Sequence, residues 1–289
     1  MRIKDLAHPA SPRMIECPPD MGLDAGGDYE RIRRLVQRRR GVDLGHYRSA
    51  YVLRRIRARM RARQATDSGL YARILSKDAE ETGRLLGAIS TKVTSFFRDP
   101  GLYTYLDARV LPELLRDAGA RAVRIWSAGC ATGEEAYSLA AMVAARDLAG
   151  RPEIKILGTD VDRTAIAAAR LGEYPLSALR RVPAEIQRRF FTRQPESGTC
   201  RVASALSSLT SFRVETLLAP PPAGSFDLVL CRNVFIYFEP ALQQRILVQL
   251  ASALRPGGFL ALGRVERIVG PARSAFEAVH MRERVYRRI

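Results

Sequence analysis

Little in this sequence can hold a metal or staple a secreted fold. There are four cysteines, Cys17, Cys130, Cys200 and Cys231, and no two of them form a CxxC pair. Three histidines accompany them, His8, His46 and His280. That inventory argues against a structural zinc site and against a disulfide framework. No apolar run approaches the roughly 18 residues that a membrane span requires. The N-terminus lacks the contiguous apolar core of a signal peptide. The expectation is a cytoplasmic protein with no metal and no membrane insertion. A GxSxG nucleophile elbow, a Walker lysine and an HExxH helix are also missing.

Acidic residues are in short supply as well. Thirty Asp and Glu face 47 Lys and Arg, giving a net charge of +17 and a pI near 10.5. Most of the excess is arginine. Such a chain is attracted to polyanions: nucleic acid, anionic lipid or a strongly acidic protein surface. What the sequence does have is bulk. Its 289 residues are 47% hydrophobic, enough for a packed core in one large domain or two ordinary ones.

The chain is organised around residues 124–139, RIWSAGCATGEEAYSL. Apolar, β-prone residues (Val123, Ile125, Trp126) give way to a turn of small residues from Ser127 to Gly133, then to a helical pattern. Strand, glycine turn and helix is how open α/β sheets hold a nucleotide-like ligand at the carboxyl edge of the first strand. A pyrophosphate would be repelled by Glu134 and Glu135. The pair suits a ligand carrying positive charge, such as the ammonium and sulfonium of S-adenosylmethionine (SAM). An ordinary first helical turn, where the dipole favours Glu, stays open on this pattern alone.

Residues 1–27 are rich in proline and glycine without periodicity and are expected to form a flexible tail. Residues 28–100 read as a small all-α domain. Its first helix carries Tyr29, Ile32, Leu35 and Val36 and closes at Gly41. A second helix spans 47–64, with Leu53, Ile56 and Met60 on one side and seven arginines elsewhere, at 48, 54, 55, 57, 59, 61 and 63. Seven like charges repel one another, which an acidic docking surface would relieve; a solvated face is the plain alternative. Further helices are expected at about 70–75 and 79–89. The junction TSFFRDP precedes a helix from about 101 to 118.

The second domain, 101–289, reads as a doubly wound α/β sheet. Strands are expected at 122–127, 154–159, 211–215, 226–231 and 259–262. Asp160 ends the second strand, where a carboxylate suits ribose hydroxyls; Asp162 and Thr164 suit a helix cap. The alternation pauses over about 173–211, an inserted subdomain, with 174–191 expected to be helical. Two short strands near 276–280 and 284–287 suggest a terminal antiparallel hairpin. The candidate site residues, Arg98, the 129–133 turn, Glu135, Asp160 and 232–237, all fall at strand ends or at the domain junction.

The motifs TSFFRDP, WSAGCATGEEAYSLA, GTDVD, CRNVFIYF and RPGGFLALG, in this order and spacing, resemble the CheR family of chemotaxis receptor methyltransferases. The resemblance runs from about Asp28 to the C-terminus. It implies a SAM-methyltransferase fold preceded by an all-α domain. It also implies a SAM-dependent protein-glutamate O-methyltransferase that leaves S-adenosylhomocysteine as product. The partner it implies is the acidic helical cytoplasmic domain of chemoreceptors, docked on the arginine-rich helix 47–64. Nucleic acid would not be a partner, and the protein would be a monomer. By this resemblance Arg98 and Tyr237 are catalytic. Thr94, Arg98, Gly129, Glu135, Asp160, Thr216, Leu217, Asn233 and Val234 bind cofactor, Glu135 at the methionine ammonium and Asp160 at the ribose. The chain departs from the family pattern at Lys92, Ala136, Thr216 and Arg264-Val265-Glu266.

The chemistry agrees. A glutamate nucleophile is already ionised near neutral pH, so no catalytic His or Cys is required. A base-methylating enzyme would use an Asn/Asp-Pro-Pro-aromatic turn, and Asn233 to Tyr237 has no proline. A catalytically silent SAM-binding regulator that docks on receptors is the remaining alternative, motivated by Lys92.

Overall fold

The computed structural model describes residues 27–89, 94–146, 152–222 and 225–289. Lys92 and the expected tail up to residue 26 lie outside the described residues. Four helices come first: α1 (Gly27–Arg40), α2 (Ser49–Ala62), α3 (Ser68–Lys77) and α4 (Ala79–Ile89), with a 3-10 turn at Leu44–His46. Gly41 ends α1 in the left-handed region, at φ 70°. Asp67 caps α3 by accepting from the Leu70 amide at 2.7 Å, and Asp78 accepts from the Glu81 amide at 3.0 Å. Ile32, Val36, Leu44, Val52, Ile56, Met60, Tyr71, Leu75 and Leu85 form the core of this bundle.

The arginine-rich helix differs from its expected form. Its buried stripe runs through Val52, Ile56 and Met60; Leu53 is only half-buried. Two of the arginines serve the fold. Arg59 grips fully buried Glu81 bidentately, Nε to Oε1 at 2.9 Å and Nη2 to Oε2 at 2.7 Å. Arg63 pairs with Asp78 at 3.3 Å. The Tyr71 hydroxyl donates to Glu81 Oε1 at 2.9 Å. Glu81→Ala strands the buried Tyr71 phenol and leaves the half-buried Arg59 guanidinium without its partner. It should cost about 3–5 kcal/mol, read as a lowered denaturant midpoint with an unchanged slope.

A helical rod follows: α5 (Pro100–Tyr105), a π turn (Leu106–Val110) and α6 (Leu111–Ala118). It leads into the sheet through β1 (Val123–Ala128), α7 (Glu134–Ala144), β2 (Ile154–Asp160) and α8 (Arg163–Leu171). The insert holds β3 (Glu173–Pro175), α9 (Ala184–Phe190), β4 (Phe191–Gln194), β5 (Thr199–Val202) and α10 (Ser204–Ser207). The main alternation resumes with β6 (Thr210–Val214), β7 (Phe226–Cys231), α11 (Pro240–Ala253) and β8 (Leu254–Leu262). It closes with β9 (Phe276–His280) and β10 (Val285–Arg288).

The large sheet has the order β6-β2-β1-β7-β8-β10-β9. The first five of these strands are parallel, and β10 runs antiparallel to both β8 and β9. β7, FDLVLC, is buried at every position, as a central parallel strand covered on both faces should be. The chain winds outward from β1 to β2 and later from β7 to β8 in the opposite direction. The switch point therefore lies between β1 and β7, and a crevice opens at their carboxyl ends.

Two local differences from the sequence reading have simple causes. The stretch 174–191 is not one helix, because Pro175 and Pro183 divide it into β3, a 3-10 turn and α9. The RPGG segment is not a free turn but lies inside β8, where the pairing with β7 shifts register between Phe226 and Leu228. Among the described residues no helix is long and apolar enough to cross a membrane.

Candidate active site

A cavity of about 410 Å³ lies at the carboxyl ends of β1, β2, β6 and β7. The ten residues given a catalytic or cofactor role by the resemblance all line it, Thr94, Arg98, Gly129, Glu135, Asp160, Thr216, Leu217, Asn233, Val234 and Tyr237, whereas Thr132, Gly133, Phe235 and Ile236 of the wider candidate stretches do not. The lining also includes Arg40, Asp43, His46 and Tyr47, so the turn between α1 and α2 forms part of the wall. From the first domain the sequence reading had placed only Thr94 and Arg98 at the site, and none of these four residues.

The glycine turn is tight for identifiable reasons. Gly129 has φ 81°, and a Cβ there would come within 2.7 Å of Val234 Cγ2, so β1 and the loop after β7 touch. The amides of Gly129 and Cys130 both donate to the Thr159 carbonyl, at 2.8 and 2.9 Å. Ala131, also left-handed, donates its amide to Asp160 Oδ2 at 2.9 Å. Asp160 Oδ1 accepts from the Asp162 amide at 2.9 Å. Asp162 itself caps α8 through Thr164 and Ala165. The two aspartates thus divide their work, one at the cavity and one at the helix.

The two glutamates divide as well. Glu134 is buried and accepts from the Thr132 hydroxyl at 2.7 Å; burial raises its pKa. Glu135 lines the cavity, with Oε1 accepting from the Ser127 hydroxyl at 2.7 Å and Oε2 paired to Arg232 at 3.0 Å. Arg232 is the residue whose role the sequence left unassigned. Its side chain is 3% exposed, and it also grips Asp99 Oδ2 at 2.6 Å and the Arg98 carbonyl at 3.1 Å. Asp99 pairs at 3.6 Å with Arg264, whose guanidinium reaches Glu283 at 3.4 Å. One buried guanidinium therefore ties the glutamate of α7 to the junction segment that carries Arg98.

The loop after β7 is held from below by Glu266, the second residue that sequence reasoning missed. Its Oε2 accepts from the amides of Asn233 at 2.8 Å and Gly263 at 2.7 Å, and its Oε1 from Phe235 at 2.8 Å. Burial still pushes its carboxyl up, against the pull of those amides. A lone acid among arginines, just past the end of β8, was the available signal. Phe97, Asp99, Ala131 and Asn233 are all non-glycine residues with positive φ. They cluster around this cavity, as strained backbone does at functional sites.

The junction is wedged in place. Phe96 packs edge-on against Tyr174 and Phe191 of the insert, and the Phe97 amide donates to the Ser138 hydroxyl at 2.9 Å. Tyr174 in turn donates to the Thr132 carbonyl at 2.6 Å. Thr216 uses its hydroxyl locally, accepting from the Leu218 amide at 3.2 Å. Burial pushes the Cys130 thiol well above its usual value, which disfavours the thiolate that a nucleophile requires. Burial also pushes the Tyr47 phenol up to about 12, with Asp160 adding to the effect.

Asp43, at the cavity wall, accepts from Arg33 Nε at 2.5 Å and Nη2 at 2.9 Å, and from the Gly45 amide at 2.8 Å. The Arg33 guanidinium pulls its carboxyl down to about 2. The folded value lies below the unfolded value of about 3.9, so the pair stabilises the fold at neutral pH. That stabilisation, on the order of 1–2 kcal/mol after allowing for partial exposure, should disappear as pH falls from about 4 to about 2. In an acid titration of stability, Asp43→Asn is expected to flatten that limb.

A switch-point cavity, a glycine turn, a carboxylate at the tip of β2 and another on the first turn of α7 place the chain among α/β proteins that bind a nucleoside-containing ligand. The descriptions of known families make it specific. The CheR methyltransferase SAM binding domain matches residues 92–285, and the CheR methyltransferase all-alpha domain matches residues 27–90. The chain belongs to the CheR methyltransferase family. It is 33% identical over 246 residues to chemotaxis protein methyltransferase 2 of Pseudomonas aeruginosa, covering 84% of this chain and 87% of that one. It is 32% identical over 249 residues to a chemotaxis protein methyltransferase of Listeria monocytogenes, covering 86% and 93%. An uncharacterized 104.1 kDa protein of Rhodobacter capsulatus is 35% identical over 268 residues, of which this chain spans 28%.

SAM is the cofactor of this domain, and the side chains present fit it. Two cavity carboxylates, Glu135 and Asp160, match a ligand with an ammonium and a ribose diol. Val161, Leu217 and Leu218 supply apolar wall for a base. The volume falls within the few hundred Å³ usual for such ligands.

Proposed function

We propose that the chain methylates glutamate side chains on the helical cytoplasmic region of chemoreceptors, giving glutamate methyl esters. The observation that carries this reading is the placement of Arg98 and Tyr237 on the same cavity as Glu135 and Asp160. A cation and a phenol beside a SAM-shaped site suit a carboxylate acceptor. The names of the Pseudomonas and Listeria relatives supply the chemotaxis context.

Bound SAM supplies a methyl on a sulfonium, which a glutamate oxygen displaces to leave S-adenosylhomocysteine and an ester. The chain's residues do the rest by alignment. Asp160 would take the ribose hydroxyls, while Asn233 and Val234 would flank the cofactor. Each oxygen of Glu135 has one protein partner and a lone pair remaining, which would accept the methionine ammonium. Arg98 would orient the incoming carboxylate by a charge-assisted bond, and Tyr237 would set the approach of its oxygen. Charge is neutralised as the methyl moves, so a cavity closed on one side by the α1–α2 turn favours the reaction.

Docking follows from charge. Arg54, Arg57 and Arg61 follow one another at i, i+3 and i+7 along α2, with Arg54 and Arg61 exposed. An acidic helical bundle would be steered onto this stripe. The test uses labelled SAM with a receptor cytoplasmic fragment, followed by mild base. Release of labelled methanol is the expected result. Protein label that survives base would place the methyl on nitrogen or sulfur and contradict the glutamate assignment.

A further inference from the structure

Tyr51 belongs to α2, the arginine-rich helix, and packs behind Tyr237, a residue of the cavity wall. Its ring packs against that of Tyr237, with centroids 4.8 Å apart and 38° between the planes. The backbone is tied at the same place. The Arg48 amide donates to the Tyr237 carbonyl at 2.9 Å, the Glu239 amide donates to the His46 carbonyl at 3.0 Å, and Tyr47 bridges to Phe238. The Tyr51 hydroxyl donates to the carbonyl of Ile89, the last residue of α4, from which the chain leads to Arg98. The guanidinium carbons of Arg55 and Arg54 lie 5.2 and 5.7 Å from the centroid of this same ring. One side chain of the arginine-rich helix, 9% exposed, thus meets Tyr237 at the cavity and the C-terminal end of α4.

Tyr237 needs such support. It ends a 3-10 turn of three residues, Phe235–Tyr237, and is only half-buried. A short 3-10 turn holds a side chain less firmly than a helix or ladder does. The Tyr51 ring is its aromatic neighbour at the cavity edge.

We propose that Tyr51 is a positioning residue for Tyr237, holding its ring at the cavity and linking it to the helix on which an acidic substrate docks. The proposal rests on the role assigned above to Tyr237. Docking on α2 and methyl transfer in the crevice are then joined through the Tyr51–Tyr237 contact, beside which Tyr47 and Phe238 also pack at 5.1 Å between centroids.

The test is a double-mutant cycle in the full chain. Tyr51→Leu should lower kcat for receptor-fragment methylation about tenfold. SAM affinity by calorimetry and KM for the fragment should stay within about twofold of their original values; loss of binding shared equally by ground state and transition state would raise KM instead. Tyr51→Phe keeps the ring and should restore most of kcat. In a Tyr237→Phe background, Tyr51→Leu should add little further loss, because there is no hydroxyl left to position. Equal losses in both backgrounds would overturn the proposal. So would a fall in SAM affinity and melting temperature that tracks the fall in kcat. A second readout stands apart from the receptor assay: 3-fluorotyrosine at position 237, followed by fluorine NMR. Tyr51→Leu should shift and broaden that resonance and Tyr51→Phe should not; an unmoved resonance overturns the proposal. Failure of the unaltered chain to methylate any receptor would instead count against the glutamate reading.

Discussion

Arg232→Met should reduce methyl transfer by about a hundredfold or more and destabilise the fold by about 3–5 kcal/mol. Arg232 is buried, with its guanidinium shared among Glu135, Asp99 and the Arg98 carbonyl. Removing it leaves two carboxylates facing each other without the cation between them. They are only 13% and 24% exposed, so water relieves the repulsion only in part. The backbone at Arg98 loses its donor as well, next to Asp99 at φ 61°. Released, that residue should relax and carry the Arg98 side chain with it. Arg232→Lys keeps the charge but cannot reach three acceptors as a planar fork does, and should fall between the original chain and the Met variant. Denaturant unfolding separates the stability loss from the catalytic one. A Met variant with unaltered kcat would show that the bracket is dispensable.

Asp160→Ala should weaken SAM binding by about a hundredfold or more while leaving the fold nearly intact. Two charge-assisted bonds to ribose hydroxyls contribute about 1.5–3 kcal/mol each. The structural cost is smaller: of the two amides that Asp160 accepts from, Ala131 lines the cavity and Asp162 is only half-buried, so water can replace the carboxylate. Asp160→Asn keeps the shape and one acceptor, and should lose less. Calorimetry with SAM reads both variants directly. A loss confined to kcat, with affinity unchanged, would move Asp160 from the ribose to the reaction centre.

Much of this was legible because the fold writes its ligand edge into short, local patterns. VRIWSAG breaks from a buried strand into glycine where the sheet ends, and β7 reads as one apolar run. The arrangement was harder to read where distant segments meet. Arg232 and Glu135 are far apart in sequence, and nothing local to either reveals the bond between them. Glu266 looks like a surface acid until the loop after β7 is seen folded over it. Arg59 and Arg63 looked like free charge, because periodicity places α2 and α4 on helices without saying which faces meet. His46 and Asp43 reach the cavity, and Tyr51 reaches Tyr237, only through the packing of the first domain against the second. The insert was misread locally for another reason: its polar stretch 174–191 looked helical, but Pro175 and Pro183 divide it.

The central claim is that one cavity holds SAM and that Arg98 directs a glutamate carboxylate into it. It is tested most directly by measuring labelled methyl transfer to a receptor cytoplasmic fragment at saturating SAM, with and without Arg98→Ala, and SAM binding by calorimetry in parallel. The account predicts base-labile label with the original chain, and at least about a hundredfold less with the variant, while measurable SAM binding persists. SAM binding without any transfer by the original chain would contradict it and favour a silent SAM-binding regulator. Equal transfer by both proteins would remove Arg98 from the reaction.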